Sequence, residues 1–166
     1  MGLFCPSPRV RHRRALTLLL LRIPFYGAKE PQILPSSQKI VMMVAMHAKL
    51  KEAIALFNKH EYFSCHEMLE EIWHEAAAEE RNFYEGLIRF ATGLHLRFNR
   101  RNPQGAINLL TQGLMRLEDY RPTYQGVDVA RLYTDVDTHL EELRASKNAQ
   151  AGFFERRRAP RINLAA

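Results

Sequence analysis

The stretch YFSCHEMLEEIWH, residues 62–74, decides the fold of this chain. Its apolar residues, among them Leu69 and Trp73, recur at the 3.6-residue period of an α-helix. With His66 placed at zero and about 100° per residue, Trp73 lies at about −20° and Glu70 at about +40°. A histidine and a carboxylate therefore lie inside or beside the face predicted to point to the core. Because an isolated buried carboxylate is strongly disfavoured, this pair is the first functional candidate.

The same period predicts four more helices, one before this stretch and three after it. No alternating strand pattern and no tandem repeat is visible. The fold class is therefore all-α, a compact bundle of about five helices with short connections. The predicted helices cover residues 44–58, 62–78, 83–98 and 103–117, and a fifth follows a capping Asp128.

Two glycines in the third helix predict a close helix crossing. Gly86 and Gly93 are seven residues apart and so lie on nearly the same face. Each costs about 1 kcal/mol of helix propensity relative to alanine. A neighbouring helix packed closely against this face would explain both residues.

The charge of the chain divides it into three parts. Residues 1–43 form a basic, irregular extension, residues 44–145 the helical domain, and residues 146–166 a flexible basic tail. The net charge of +6 comes from the two ends, and the helical part is mildly acidic. A nucleic-acid partner is therefore not expected for the folded core, because its electrostatic footprint should lie on the folded surface.

The first 40 residues allow several interpretations. A basic stretch precedes a short apolar run, which resembles a targeting segment, although no clear cleavage site follows. Met42, Met43 and Met46, just before or at the start of the first predicted helix, favour a mis-assigned start instead. We expect a cytoplasmic protein; if the extension is a genuine targeting segment, the protein is instead directed to an organelle or secreted.

Composition excludes several other classes of protein. With 46% hydrophobic residues the chain can build a core, so wholesale disorder is not expected. No run reaches the roughly 18 apolar residues needed to span a membrane. Cys5 and Cys65 form no metal or disulfide spacing, which favours a reducing compartment with Cys65 as an ordinary helix residue.

One hypothesis for the chemistry is a divalent metal site. His66 and Glu70 are i, i+4 on one helix, and His95 on the next helix could supply a third ligand, so that a bound metal would activate water for hydrolysis. The His-Glu-x-x-Glu pattern argues against a zinc protease, since Glu70 occupies the place of the second histidine. Glu71 and His74 make one Glu-x-x-His unit of a di-iron bundle, but a second unit is not visible.

The alternatives need no metal. A hydrogen bond from His66 to Glu70 would fix the imidazole tautomer and leave a polar site between the second and third helices for a small ligand. The other alternative is that the pair only fixes the helix packing, and that the domain acts as an interaction module or homo-oligomer. The candidate polar site comprises His66, Glu67, Glu70 and His95, with Tyr62, Trp73 and Gly86 as pocket or packing residues.

Two linked motifs resemble a known family. They are H-E-x-x-E-x-x-W at residues 66–73 and E-G-L-I-x-x-A at residues 85–91, followed by His95. The sequence resembles the family domain of unknown function 309 (DUF309) from about Ala48 to Leu117. The resemblance implies an all-helical soluble domain and brings no established activity or cofactor. The family's positions carried over are His66, Glu67, Glu70, Trp73, Gly86 and His95.

Overall fold

A computed structural model describes residues 36–145 and 153–165, and five α-helices account for most of them. This confirms the predicted all-α class. Each helix packs mainly on its neighbour in sequence. The helices are α1 (Ser36–Asn58), α2 (Tyr62–Glu75), α3 (Ala78–Phe98), α4 (Pro103–Leu117) and α5 (Val129–Ala145). Short 3-10 helices cover Glu118–Tyr120 and Phe153–Arg158.

Three helix boundaries differ from the prediction. Helix α2 ends at Glu75 rather than at residue 78. Helix α1 begins at Ser36 rather than at residue 44, because no glycine or proline interrupts the chain after Pro35. Helix α3 begins at Ala78 rather than at residue 83, so the acid-rich residues between the second and third predicted helices belong to its start. Glu79 and Glu80 lie there because carboxylates are favourable at the positive end of a helix.

Helix α3 is central to the hydrophobic core. Its residues Phe83, Leu87, Phe90 and Leu94 are all 0% exposed. The close crossing predicted from the glycines is also present. A Cβ on Gly86 would lie 2.7 Å from the Leu117 side chain of α4, and one on Gly93 would lie 3.0 Å from that of Leu110.

A small hairpin joins α4 to α5, although the sequence shows no strand pattern. Strand β1 (Thr123–Tyr124) pairs antiparallel with β2 (Val127–Asp128). Both residues of the connecting turn, Gln125 and Gly126, have positive φ, which suits a tight two-residue hairpin. The predicted cap of α5 is present, since Asp128 Oδ1 accepts from the Arg131 backbone N–H at 3.0 Å.

The C-terminal segment, residues 153–165, packs on the helical domain, whereas the sequence predicted a flexible tail there. Ile162 is 2% exposed and belongs to the core. The Asn58 side chain donates to the Ile162 carbonyl at 2.8 Å and accepts from its N–H at 2.9 Å. Leu164 forms an isolated antiparallel bridge with Val127. Anchoring by backbone groups has no helical period, so the sequence pattern did not show it.

The remaining predictions about the ends lie outside the described residues. They concern residues 1–35, with the proposed targeting segment or mis-assigned start, and residues 146–152 and 166 of the predicted tail. Of the helices that the structure describes, none is both long and apolar enough to cross a membrane.

Candidate functional site

Helix α2 places three side chains in one strip along its surface. Phe63, His66 and Glu70 follow the spacing i, i+3, i+7 and so share a face beside the buried stripe of the helix. His66 Nε2 lies 3.2 Å from Glu70 Oε1. The buried stripe that orients the helix comprises Tyr62, Cys65, Leu69 and Ile72.

Glu70 is more accessible than the helical angle predicted. Its side chain is 41% exposed and that of His66 is 14% exposed, so the pair lies at the edge of the core and is not enclosed by it. The hydrogen bond from His66 lowers the pKa of the Glu70 carboxyl, partly opposed by burial and aided by the charges of His66 and His74. Glu70 is therefore an ionised, solvent-accessible carboxylate at neutral pH.

His95 of α3 adjoins this strip through Phe63. The Phe63 ring centre lies 6.4 Å from that of His66 and 5.8 Å from that of His95. His95 is 8% exposed. Burial lowers the pKa of His95, and the nearby charges of Arg100 and His66 lower it further, so this imidazole is neutral near pH 7.

Two imidazole nitrogens at this strip have no hydrogen-bond partner in the described part of the chain. They are His66 Nδ1 and His95 Nε2, both buried. Unsatisfied buried polar atoms are uncommon in native proteins and point to strain or function. If His66 donates from Nε2 to Glu70, its Nδ1 is an acceptor.

Glu67 does not join the other predicted polar residues. It is exposed and directly follows His66, and adjacent helical residues do not face each other. Cys65 also takes no part, because burial raises the pKa of its thiol to about 12 and keeps it protonated.

The residues predicted as pocket or packing are placed in or beside the core. Tyr62 is 1% exposed, with its ring centre 5.4 Å from that of Phe57. Trp73 is half-buried against the core, and the Arg81 guanidinium lies 5.5 Å from its ring centre. Gly86 faces Leu117 of α4, as described above.

The structure does not gather three metal ligands. Among the side chains that the structure describes, no group of three or more His, Cys, Asp or Glu is arranged to hold a metal ion. His66 and Glu70 meet, but His95 is not brought with them around one point. His74 of the di-iron comparison is exposed, and Glu71 lies 3.7 Å from Lys49.

Phe63 is the residue of this site that the sequence reasoning missed. The only signal in the sequence was an aromatic residue three positions before His66, and so on the same helix face. Glu85, which also belongs to the family motif, lies beside two arginines. Burial raises the pKa of Glu85, but hydrogen bonds from Arg116 and Arg89 outweigh this and hold the pKa below its usual value. Since Arg116 lies on α4, Glu85 ties α3 to α4.

The motif residues described above coincide with a family match. Residues 50–109 match the family described as Domain of unknown function (DUF309). This confirms the resemblance predicted from the sequence. The DUF309 match runs from α1 into α4, and so includes His66, Glu70 and His95 but not α5 or the C-terminal segment.

One curated relative is an uncharacterised protein of Aquifex aeolicus (strain VF5). The two sequences are 34% identical over 99 residues. That alignment covers 59% of this chain and 28% of the relative.

Proposed function

We propose that the DUF309 domain of this chain is a small-ligand-binding module whose site is the strip of Phe63, His66 and Glu70 with His95 beside it. The ligand would be an organic cation that donates hydrogen bonds, such as an alkylammonium group. The observation that carries the proposal is the accessible carboxylate of Glu70 on the same helix face as the exposed aromatic ring of Phe63.

The carboxylate supplies the charge for this ligand. Glu70 uses Oε1 in its contact with His66, and its side chain keeps 41% of its area exposed. Its lowered pKa keeps the negative charge at neutral pH. Hydrogen bonds in which one partner is ionised are roughly twice as strong as neutral ones.

The aromatic ring of Phe63 supplies a second contact that also favours a cation. Phe63 is 40% exposed, and its ring contacts the imidazole rings of His66 and His95. A cation over an aromatic face gains about 0.5–1 kcal/mol at an exposed position. Because Arg100 lies close enough to His95 to lower its pKa, we expect the ligand's charge to lie toward Glu70.

The other interpretations have less support. A metal-dependent hydrolase using His66, Glu70 and His95 needs a set of three ligands, and the described residues do not assemble one. The alternative that the domain is an interaction module or a homo-oligomer stays a prediction, because no observed contact with a partner tests it.

The test is a titration followed by NMR of the side chains. Butylammonium added to the full chain should produce saturable shifts at the His66, His95 and Phe63 rings, and butyrate should not. Glu70→Gln should abolish these shifts because it removes the charge. Glu71→Gln is the matched control, since Glu71 is the next residue on α2 and is 66% exposed, and it should leave the shifts intact.

Three results would refute the proposal. They are an absence of saturable shifts, equal shifts with butyrate, and an equal loss in the Glu71→Gln variant.

A further inference from the structure

A groove of about 390 Å³ lies between α5 and the C-terminal segment. Four arginines line it: Arg131 from α5, and Arg157, Arg158 and Arg161 from the C-terminal segment. We propose that this groove binds the phosphate group of a small phosphorylated ligand that also carries hydroxyl groups. The groove lies outside residues 50–109 and shares no residue with the site proposed above.

The arginines are available for a ligand. Arg157 and Arg161 form no ion pair within the described ranges 36–145 and 153–165. The guanidinium of Arg131 lies 4.0 Å from Asp135, and that of Arg158 lies 4.0 Å from Glu142. Ion pairs of this length between exposed side chains contribute little, so a phosphate can replace them. The planar guanidinium fork matches phosphate oxygens two at a time.

The side of the groove formed by the C-terminal segment is held in place. Ile162 is buried and hydrogen-bonded to Asn58, and the Asn163 carbonyl accepts from the Asp128 N–H at 3.0 Å. Arg156 donates to the Phe98 carbonyl at 3.2 Å. Arg157 and Arg161 therefore extend from an anchored backbone, which lowers the entropy lost when a ligand binds.

The wall of the groove favours a small ligand over a nucleic acid. Asp135 and Glu142 lie among the arginines and would repel an extended polyanion. The same carboxylates can accept hydrogen bonds from hydroxyl groups. The volume falls within the range of small-molecule sites, about 300–1,000 Å³. A sugar phosphate combines the anion and the hydroxyl donors that this lining requires.

Isothermal titration calorimetry of the full chain with ribose 5-phosphate tests the proposal. We expect saturable binding of ribose 5-phosphate, weaker binding of inorganic phosphate and none of ribose. Arg157→Gln and Arg161→Gln should each weaken binding about tenfold, since each removes charged hydrogen bonds. Arg144→Gln is the matched control because Arg144 is exposed on α5, where it pairs with Glu141 outside the groove.

Several results would overturn it. One is the absence of binding by ribose 5-phosphate, and another is unchanged affinity in both groove variants, checked to be folded by circular dichroism. An equal loss in Arg144→Gln would show a general charge effect. Tighter binding of a single-stranded oligonucleotide than of the sugar phosphate would assign the groove to nucleic acid. If inorganic phosphate bound as tightly as ribose 5-phosphate, the proposed contacts with the ligand's hydroxyl groups would be wrong.

Discussion

At the scale of single residues, the exposure of the His66–Glu70 pair changes the loss of stability expected when the pair is broken. A protein loses about 3–5 kcal/mol of stability when one partner of a buried charged pair is removed. Glu70 is 41% exposed, and exposed pairs contribute about 0–1 kcal/mol. The pair is thus better suited to meeting a ligand than to holding two helices together.

We therefore predict that Glu70→Gln lowers the free energy of unfolding by about 1 kcal/mol or less at pH 7. Because the folded-state pKa of Glu70 is lowered, its contribution is present above the ordinary carboxyl pKa of 4.5 and is lost as pH falls through the lower folded value. Urea unfolding of both proteins from pH 7 to pH 3 measures this. A loss of 3 kcal/mol or more at pH 7 would show that the pair is buried in solution.

The sequence could place Glu70 on a helix face but not at a depth in the fold. The 3.6-residue period places Glu70 beside the apolar stripe, and in the structure Glu70 directly follows the buried Leu69 and is itself partly buried. Its exposure depends on how closely α3 approaches this edge of α2, which no local pattern determines. Phe63 was missed for the same reason, because its contact with His95 crosses between two helices.

At the scale of helices, a glycine decides the distance between α3 and α4. A Cβ on Gly113 of α4 would lie 2.5 Å from the ring of Phe90 and 3.1 Å from the Gly86 carbonyl. Phe90 is 0% exposed and enclosed by the core, so its ring has little room to move. The backbone of Gly86 offers no more room, and the two helices would have to separate.

We predict that Gly113→Ala destabilises the domain by about 1–3 kcal/mol, although alanine favours helix. Met115→Ala is the control on the same helix, since Met115 is 73% exposed, and it should change stability by about 0.5 kcal/mol or less. Thermal and urea unfolding of both variants give the comparison. A stabilised Gly113→Ala protein would contradict the close crossing.

The helices themselves were largely predictable because their buried residues recur along the sequence at the helical period. Leu50, Ala53, Ile54 and Phe57 recur at i, i+3, i+4 and i+7, and all four are buried in α1. The boundary at Ala76 was not predictable in this way. Ala76 and Ala77 adopt extended backbone there, and alanine carries no local signal for a helix end.

At the scale of the whole molecule, the C-terminal segment completes the core. We predict that Ile162→Ala lowers the free energy of unfolding by about 2–5 kcal/mol, because it leaves a cavity at a residue that is 2% exposed. Leu164→Ala is the matched control two residues later, since its side chain is 52% exposed, and it should have little effect. Equilibrium unfolding in urea tests both. Equal, small effects would restore the prediction of a flexible tail.

The hydrogen bonds between Asn58 and Ile162 also bear on the rate at which the protein unfolds. Most contacts between helices join neighbours in sequence and so close short loops, whereas this contact joins residues 104 positions apart. Closing so long a loop costs entropy early in folding, so the contact is expected to form after the rate-limiting step. Ile162→Ala should then accelerate unfolding and leave the refolding rate nearly unchanged, which stopped-flow measurements in urea would show. The C-terminal segment would thus set the lifetime of the folded state.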